Sequence, residues 1–125
     1  MKNVLIVDDS KIMRNIVKNT FSLLNISCRY YEADDGENAF NELEGASFDL
    51  VLLDWNMPRL LGIDFLKRVR DDERFSNIPI IMVTSEAARA NVIEALKNGA
   101  NDYIIKPVNE QKFREKVSNL GFASE

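Results

Sequence analysis

The chain has 125 residues, of which 46% are hydrophobic and 29% charged, and its formal net charge is −4. This size and balance predict one globular domain spanning residues 1–125, and an acidic chain without a basic run argues against a nucleic-acid partner. Histidine is absent and Cys28 is the single cysteine, which excludes histidine-based catalysis, an internal disulfide and a cysteine-rich zinc site.

The apolar segments of the sequence are short. None is long enough to span a membrane, and the opening MKNVLIVDDS reaches two acids too early for a secretory signal. We therefore expect a cytoplasmic protein that has no membrane partner.

Apolar runs alternate with segments of helical periodicity five times along the chain. We predict strands and helices in strict alternation, in chain order at 4–7, 11–24, 28–33, 36–44, 50–53, 62–72, 78–83, 87–98, 103–105 and 109–120. Gly99 is expected to end the fourth helix, and Ser10 or Asp9 to cap the first.

Continuously apolar strands joined by helices predict a parallel sheet that is covered on both faces. With right-handed crossovers, the result is an α/β doubly wound three-layer sandwich. A flavodoxin-like strand order, 2-1-3-4-5, suits five strands, although composition alone does not select it.

Polar side chains follow four of the five predicted strands. They are Asp8 and Asp9 after the first strand, Asp54 and Asn56 after the third, Thr84 after the fourth and Lys106 after the fifth. In an open sheet of this kind, ligands bind outside the carboxyl ends of the strands, where the winding reverses. Three acids, a hydroxyl and an ammonium group are therefore expected to meet in one crevice.

This set of groups favours phosphoryl chemistry on a carboxylate. Oxygen ligands without histidine or cysteine suit Mg²⁺, which takes one or two carboxylates and a phosphate oxygen. A carboxylate can act as the nucleophile and form an acyl phosphate, while a lysine and a hydroxyl neutralise the phosphoryl oxygens. This set of side chains predicts phosphorylation of an aspartate.

Each feature taken singly has a simpler structural explanation. The Asp-Asp-Ser run could be a helix cap, Thr84 or Ser85 could begin the fourth helix, and Lys106–Pro107 could be an ordinary loop. Four such features at four strand ends together favour a functional site.

Four segments of the chain resemble bacterial response-regulator receiver domains, and the resemblance extends over the whole length. They are LIVDDS (5–10), DLVLLDWNMP (49–58) with Gly62 after it, IIMVTSEA (80–87) and NGANDYIIKP (98–107). Within that family the chain is most similar to the stand-alone chemotaxis regulators. One departure is Leu60-Leu61, where polar residues are frequent, and we expect this pair to pack on the sheet edge.

The resemblance implies a role for each residue of the crevice. Asp54 would accept the phosphoryl group from a phosphohistidine, and Lys106 would pair with that group. Mg²⁺ would be held by Asp9, Asp54 and the backbone carbonyl of Asn56, with Asp8 contributing through water.

The resemblance also implies a conformational switch. Thr84 would turn inward to hydrogen-bond the phosphoryl group, and Tyr103 would swing inward with it, changing the surface of the fourth helix, fifth strand and fifth helix. Asn56 and Glu86 would flank the phosphoryl group and influence the approach of water. The Lys106–Pro107 bond would be cis.

The function that follows is a phosphorylation switch without an output domain, which catalyses its own phosphorylation and slow dephosphorylation and is no conventional enzyme. Its expected partners are a histidine kinase, a flagellar motor switch protein and a phosphatase, and the protein itself would be a monomer. An intermediate of a phosphorelay, passing phosphate to a histidine phosphotransferase, stays open as the alternative. A flavodoxin-like redox carrier or an aspartyl phosphatase is disfavoured, because DDSKIM after the first strand is acidic and lacks glycine.

Overall fold

The computed structural model describes residues 1–122. Strands and helices alternate along the chain as β1 (Lys2–Val7), α1 (Lys11–Leu23), β2 (Cys28–Ala33), α2 (Gly36–Gly45), β3 (Leu50–Leu53), α3 (Gly62–Asp71), β4 (Ile80–Thr84), α4 (Arg89–Lys97), β5 (Asp102–Ile105) and α5 (Glu110–Ser118).

The five strands form one parallel sheet in the order β2-β1-β3-β4-β5. The predicted doubly wound architecture and its strand order are confirmed. β1 and β3 lie side by side at the point where the winding reverses, with Val7 opposite Leu53. This register brings the chain that leaves β1 next to the chain that leaves β3.

Alternate side chains of the buried strands serve two separate cores. One face of the sheet packs against α1 and α5 through Val17, Phe21, Phe113 and Val117. The other face packs against α2, α3 and α4 through a set that includes Phe40, Leu43, Leu66, Val69 and Ala95. Because β3 and β4 are buried on both faces, their sequences are apolar at every position up to the strand end.

Helix ends agree with the local sequence signals. Ser10 caps α1 by accepting a hydrogen bond from the Met13 amide at 3.2 Å, which decides between the two predicted caps. Gly99 follows the C-cap of α4 and has a φ of 103°, a left-handed conformation that glycine adopts without a Cβ penalty.

Four predicted boundaries are wrong by two residues: β1 begins at Lys2 and not at 4, α5 ends at Ser118 and not at 120, and the starts of β4 and α4 also differ. β4 begins at Ile80 and not at 78, because the Ile78 amide donates to the Phe75 carbonyl in a turn and Pro79 has no amide hydrogen to give. α4 begins at Arg89 and not at 87, so that Thr84 and Ser85 do not start this helix.

The Leu60-Leu61 pair divides between the core and the surface. Leu60 packs against the α2–α3 core and lies over Gly36, as expected, whereas Leu61 is exposed. Within residues 1–122, no helix is both long enough and apolar enough to cross a membrane.

Candidate functional site

The carboxyl edge of the sheet brings together the polar residues that follow the strands. Asp54 comes directly after β3, and its amide donates to the Val7 carbonyl of β1 at 3.0 Å. Lys106 comes directly after β5, and its amide donates to the carbonyl of Thr84, the last residue of β4, at 2.9 Å. Backbone bonds between neighbouring strands therefore fix where these side chains begin.

Three carboxylates of this edge form a cluster. Asp8, Asp9 and Asp54 each offer an oxygen, and these oxygens all lie within 4.8 Å of one another. Asp8 and Asp54 are buried, and Asp9 is exposed. A site that contains only oxygen donors and is open on one side fits a hard divalent cation that keeps part of its water shell, as Mg²⁺ does.

Lys106 supplies the positive charge of the cluster. Its Nζ lies 2.8 Å from Asp8 Oδ2 and 3.5 Å from Asp54 Oδ2. We expect Lys106 to pair with a phosphoryl group on Asp54. In this structure it already contacts the Asp54 carboxylate that would carry this group.

The pKa of the Asp54 carboxyl is raised above its ordinary value. Burial is the main cause, because the charged form loses its hydration; the charge of Asp8 adds to the effect. The hydrogen bond with Thr84, the charge of Lys106 and the Trp55 amide, which donates to Asp54 Oδ1 at 2.8 Å, act in the opposite direction. Raised pKa values of this origin are typical of groups at functional sites.

The backbone around the acids is held by short-range contacts. The Asp8 carboxylate accepts the amide of Ser10 at 2.9 Å, and the Arg14 guanidinium donates to the Asp8 carbonyl at 2.6 Å. The Gly62 amide donates to the Trp55 carbonyl at 2.8 Å, and a Cβ on Gly62 would lie 2.0 Å from the Asp54 carbonyl oxygen. Only glycine permits this approach of α3 to the segment that carries Asp54.

Glu86 joins the segments that follow β3 and β4. Its carboxylate accepts hydrogen bonds from the side-chain amides of Asn56 at 3.2 Å and Asn91 at 3.0 Å. Its backbone amide donates to the Thr84 hydroxyl at 3.3 Å. Asn56 and Glu86, both expected beside the phosphoryl site, are thus hydrogen-bonded to each other, whereas Asn91 was not identified from the sequence.

Tyr103 lies inward in this structure. The residue is 8% exposed, and its hydroxyl donates to the Glu86 carbonyl. Burial, with smaller contributions from the charges of Glu86 and Asp54, raises the pKa of Tyr103 to about 12. The inward position agrees with the expected end point of the switch, and the movement itself stays a prediction.

All eight residues proposed from the sequence lie at this edge of the sheet, and the Lys106–Pro107 bond is cis. They are Asp8, Asp9, Asp54, Asn56, Thr84, Glu86, Tyr103 and Lys106. Their placement is consistent with the roles expected of them, which stay predictions.

Comparison with known families gives a match to the response regulator receiver domain over residues 4–118. The chain belongs to this family. The match covers β1 to α5 and therefore every residue of the crevice. The predicted family membership is confirmed, and receiver domains as a class are phospho-accepting switches.

Curated relatives of this receiver domain include chemotaxis proteins. It is 44% identical over 117 residues to the chemotaxis protein CheY of Pseudomonas aeruginosa, with 94% of each chain covered. It is 47% identical over 115 residues to the chemotaxis protein CheY1 of Helicobacter pylori, covering 91% of this chain and 92% of the relative. The domain is thus a CheY-like response regulator receiver.

Solved structures support the same assignment. The chemotaxis response regulator CheY4 of Vibrio cholerae matches with a TM-score of 0.85 and 31% identity, covering 96% of this chain and 98% of the other. A putative response regulator from Chloroflexus aurantiacus matches with a TM-score of 0.88 and 27% identity, covering 95% and 96%.

Proposed function

We propose that this receiver domain is a phosphorylation switch in which Asp54 accepts a phosphoryl group from the phosphohistidine of a kinase. The observation that carries the proposal is the position of Asp54. Its carboxylate is buried at the end of β3, in the acid cluster and 3.5 Å from the Lys106 ammonium. In phosphoryl transfer, the protein mainly positions groups and stabilises charge, and these residues can do both.

The transfer is a displacement at phosphorus. A bond forms between an Asp54 carboxylate oxygen and phosphorus, and the bond from phosphorus to the histidine nitrogen breaks, with its electron pair returning to the imidazole. Lys106 stabilises the negative charge of the phosphoryl oxygens, and the Thr84 hydroxyl donates a hydrogen bond to one of them.

The acid cluster would hold Mg²⁺ during this reaction. Asp9, Asp54 and the Asn56 carbonyl are the proposed ligands, with Asp8 acting through water, and the oxygen-only cluster fits that ion. Bound Mg²⁺ would neutralise the charge shared by the acids and the phosphoryl oxygens. Together with that ion, the Lys106 ammonium would supply positive charge beside Asp54.

The output of the switch would be protein binding through the face formed by α4, β5 and α5. This face exposes three large apolar side chains, Ile93, Leu96 and Ile105, and borders Tyr103. Because the curated relatives are chemotaxis proteins, we propose the flagellar motor switch as the target and a chemotaxis histidine kinase as the phosphodonor. In this role the domain acts as a cytoplasmic monomer.

Trp55 provides a direct test of the phosphorylation step. It is the only tryptophan of the chain, it is 8% exposed, and it adjoins Asp54. Adding acetyl phosphate in the presence of Mg²⁺ is expected to change its emission, and omitting Mg²⁺ or introducing Asp54→Ala should abolish the change. The matched control Asp64→Ala, an exposed acid of α3, should keep it. A response that persists in Asp54→Ala would contradict the proposal.

The target is tested separately with purified flagellar motor switch protein. Phosphorylated protein should bind it more tightly than unphosphorylated protein, and Ile105→Ala should weaken binding without changing phosphorylation. Transfer of label from Asp54 to a histidine phosphotransferase, with no binding to the motor protein, would instead establish the phosphorelay function.

A further inference from the structure

Glu86 receives hydrogen bonds from three different parts of the fold. One carboxylate oxygen accepts Asn56 Nδ2 at 3.2 Å, and the other accepts Asn91 Nδ2 at 3.0 Å. Its backbone carbonyl accepts the Tyr103 hydroxyl. The carboxylate therefore bridges the segment after β3 and the first turn of α4.

Asn91 is the member of this bridge that sits on a regular element. Glu86 lies in the segment between β4 and α4, and Asn56 is an exposed residue of the segment after β3. Asn91 is the third residue of α4, and that helix begins without a side-chain cap. A long acidic side chain in a connecting segment has many rotamers, so a fixed amide on the helix restricts the positions that the carboxylate can take.

We infer that Asn91 is a positioning residue, which holds the Glu86 carboxylate against Asn56 and thereby slows the access of water to a phosphoryl group on Asp54. The inference rests on the proposed function. Asn56 follows Asp54 by two residues and Glu86 follows Thr84 by two, so the bridge between them spans one side of the crevice. In this arrangement the Glu86 carboxylate and its hydrogen bond to Asn56 would stand between solvent and a phosphoryl group on Asp54.

The step that the bridge controls is hydrolysis of the acyl phosphate. The water oxygen forms a bond to phosphorus, and the bond between phosphorus and the Asp54 oxygen breaks. The electron pair returns to the Asp54 carboxylate, and both hydrogen atoms of the water leave with the phosphate as dihydrogen phosphate. Loosening Glu86 should accelerate this step and leave the phosphoryl acceptor unchanged.

The orientation of Glu86 can be measured without phosphorylation. In unphosphorylated protein, Asn91→Ala should shift the side-chain amide resonances of Asn56, because the carboxylate that accepts them is released. The shift should disappear when Asn91→Ala is made in a Glu86→Ala background. Asn98→Ala at the other end of α4, which removes a side-chain bond to the Glu94 carbonyl, should leave the Asn56 resonances in place.

The consequence for hydrolysis is measured by intact mass after acetyl phosphate is removed. Loss of one partly exposed hydrogen bond, with an effect in the lower part of the range for a single bond, predicts phosphoryl loss about two- to fivefold faster in Asn91→Ala, with Asn98→Ala unchanged. Asn91→Asp keeps the side-chain size, but its ionised carboxylate cannot donate a hydrogen bond and repels Glu86, so it should also accelerate phosphoryl loss. In the Glu86→Ala background, Asn91→Ala should have no further effect.

Two results would overturn the inference: an unaltered rate in both Asn91 variants, or an equal acceleration in the Glu86→Ala background, since Asn91 would then not act through Glu86. If the wild-type protein forms no adduct, the proposed function fails and the rate effect fails with it. The amide resonances of Asn56 would still show whether Asn91 orients Glu86, so that the two failures are distinguishable.

Discussion

Gly62 shows how a residue without a side chain positions the phosphoacceptor. A Cβ at this position would lie 2.0 Å from the Asp54 carbonyl oxygen and 2.9 Å from Trp55 Cα. Both neighbours are backbone atoms, which cannot turn away as a flexible side chain could. The contact between α3 and the segment after β3 therefore depends on glycine.

We expect Gly62→Ala to lower the free energy of unfolding by about 1–3 kcal/mol, the usual cost of forcing extra atoms into a packed site. Urea unfolding followed by circular dichroism measures it. The matched control is Gly45→Ala, where a Cβ would meet nothing within 4 Å and alanine favours the helix. Equal stability of the two variants would show that the close approach is unimportant.

At the residue scale, the sequence identified the side chains that stand directly after strands. Asp54 and Lys106 follow β3 and β5, and parallel strands bring their carboxyl ends to one edge, so that topology alone predicts their meeting. Asn91 could not be found in this way. Its contact with Glu86 depends on the path of residues 85–88, and no periodic pattern in the sequence encodes that path.

At the scale of elements, Asp35 connects the N-terminus of α2 to the segment between β3 and α3. Its Oδ1 accepts the Asn38 amide at 2.8 Å, and its Oδ2 pairs with Arg59 at 2.7 Å. The bond from the Asn38 amide, followed by the contributions of Arg59, lowers the pKa of this carboxyl. The charged form of Asp35 is therefore favoured by folding.

A lowered pKa gives stability that is fully present above the unfolded-state value, about 3.9, and is lost as the pH falls through the folded-state value. Asp35→Asn keeps an N-cap acceptor but removes the charge, so we expect it to be less stable than wild type at pH 7. Urea unfolding at pH 7 and pH 3 should show this gap closing in acid.

The control for Asp35→Asn is Asp34→Asn, which alters an exposed carboxylate one residue away. Its effect at pH 7 should be smaller than that of Asp35→Asn. A gap between wild type and Asp35→Asn that stays constant from pH 7 to pH 3 would mean that the charge of Asp35 contributes nothing.

The order and type of all ten elements were predictable from apolar runs and helical periodicity, because the central strands β3 and β4 are buried on both faces. The starts of β4 and α4 were not. Residue 78 continues an apolar run but closes a turn with Phe75, and residue 79 is a proline without an amide hydrogen. Residues 86–88 are compatible with a helix, but Glu86 instead bonds Thr84 and Tyr103. Local sequence propensity does not predict element boundaries that depend on such tertiary contacts.

At the scale of the whole molecule, the two edges of the sheet have different tasks. The carboxyl edge carries the acid cluster, and the opposite edge is held together by Arg70 of α3. Its guanidinium donates to the carbonyls of Ser76, Ile78 and Gly99 at 2.7–3.1 Å, and also to the Asn101 side chain. These acceptors precede β4 and β5, so one side chain links α3 to the segments that lead into two strands.

Arg70→Ala is expected to lower the free energy of unfolding by about 2–4 kcal/mol, because several acceptors lose a charged donor and are left partly buried. Phosphorylation of the folded variant should be unaffected. Urea unfolding and adduct formation report the two properties. Lys67→Ala, on the same helix as Arg70, breaks an exposed pair with Glu94 of α4 and should cost less than about 1 kcal/mol. A comparable loss in both variants would contradict this division of tasks.

The central claim is that the crevice at the carboxyl edge transfers a phosphoryl group to Asp54 with the help of a divalent cation. The most direct measurement is intact mass after incubation with acetyl phosphate, with and without Mg²⁺, in wild type and in Asp54→Ala. We expect a Mg²⁺-dependent gain of one phosphoryl group that maps to Asp54 and is absent from the variant. No gain in correctly folded wild-type protein, or a gain that persists in Asp54→Ala, would contradict the account.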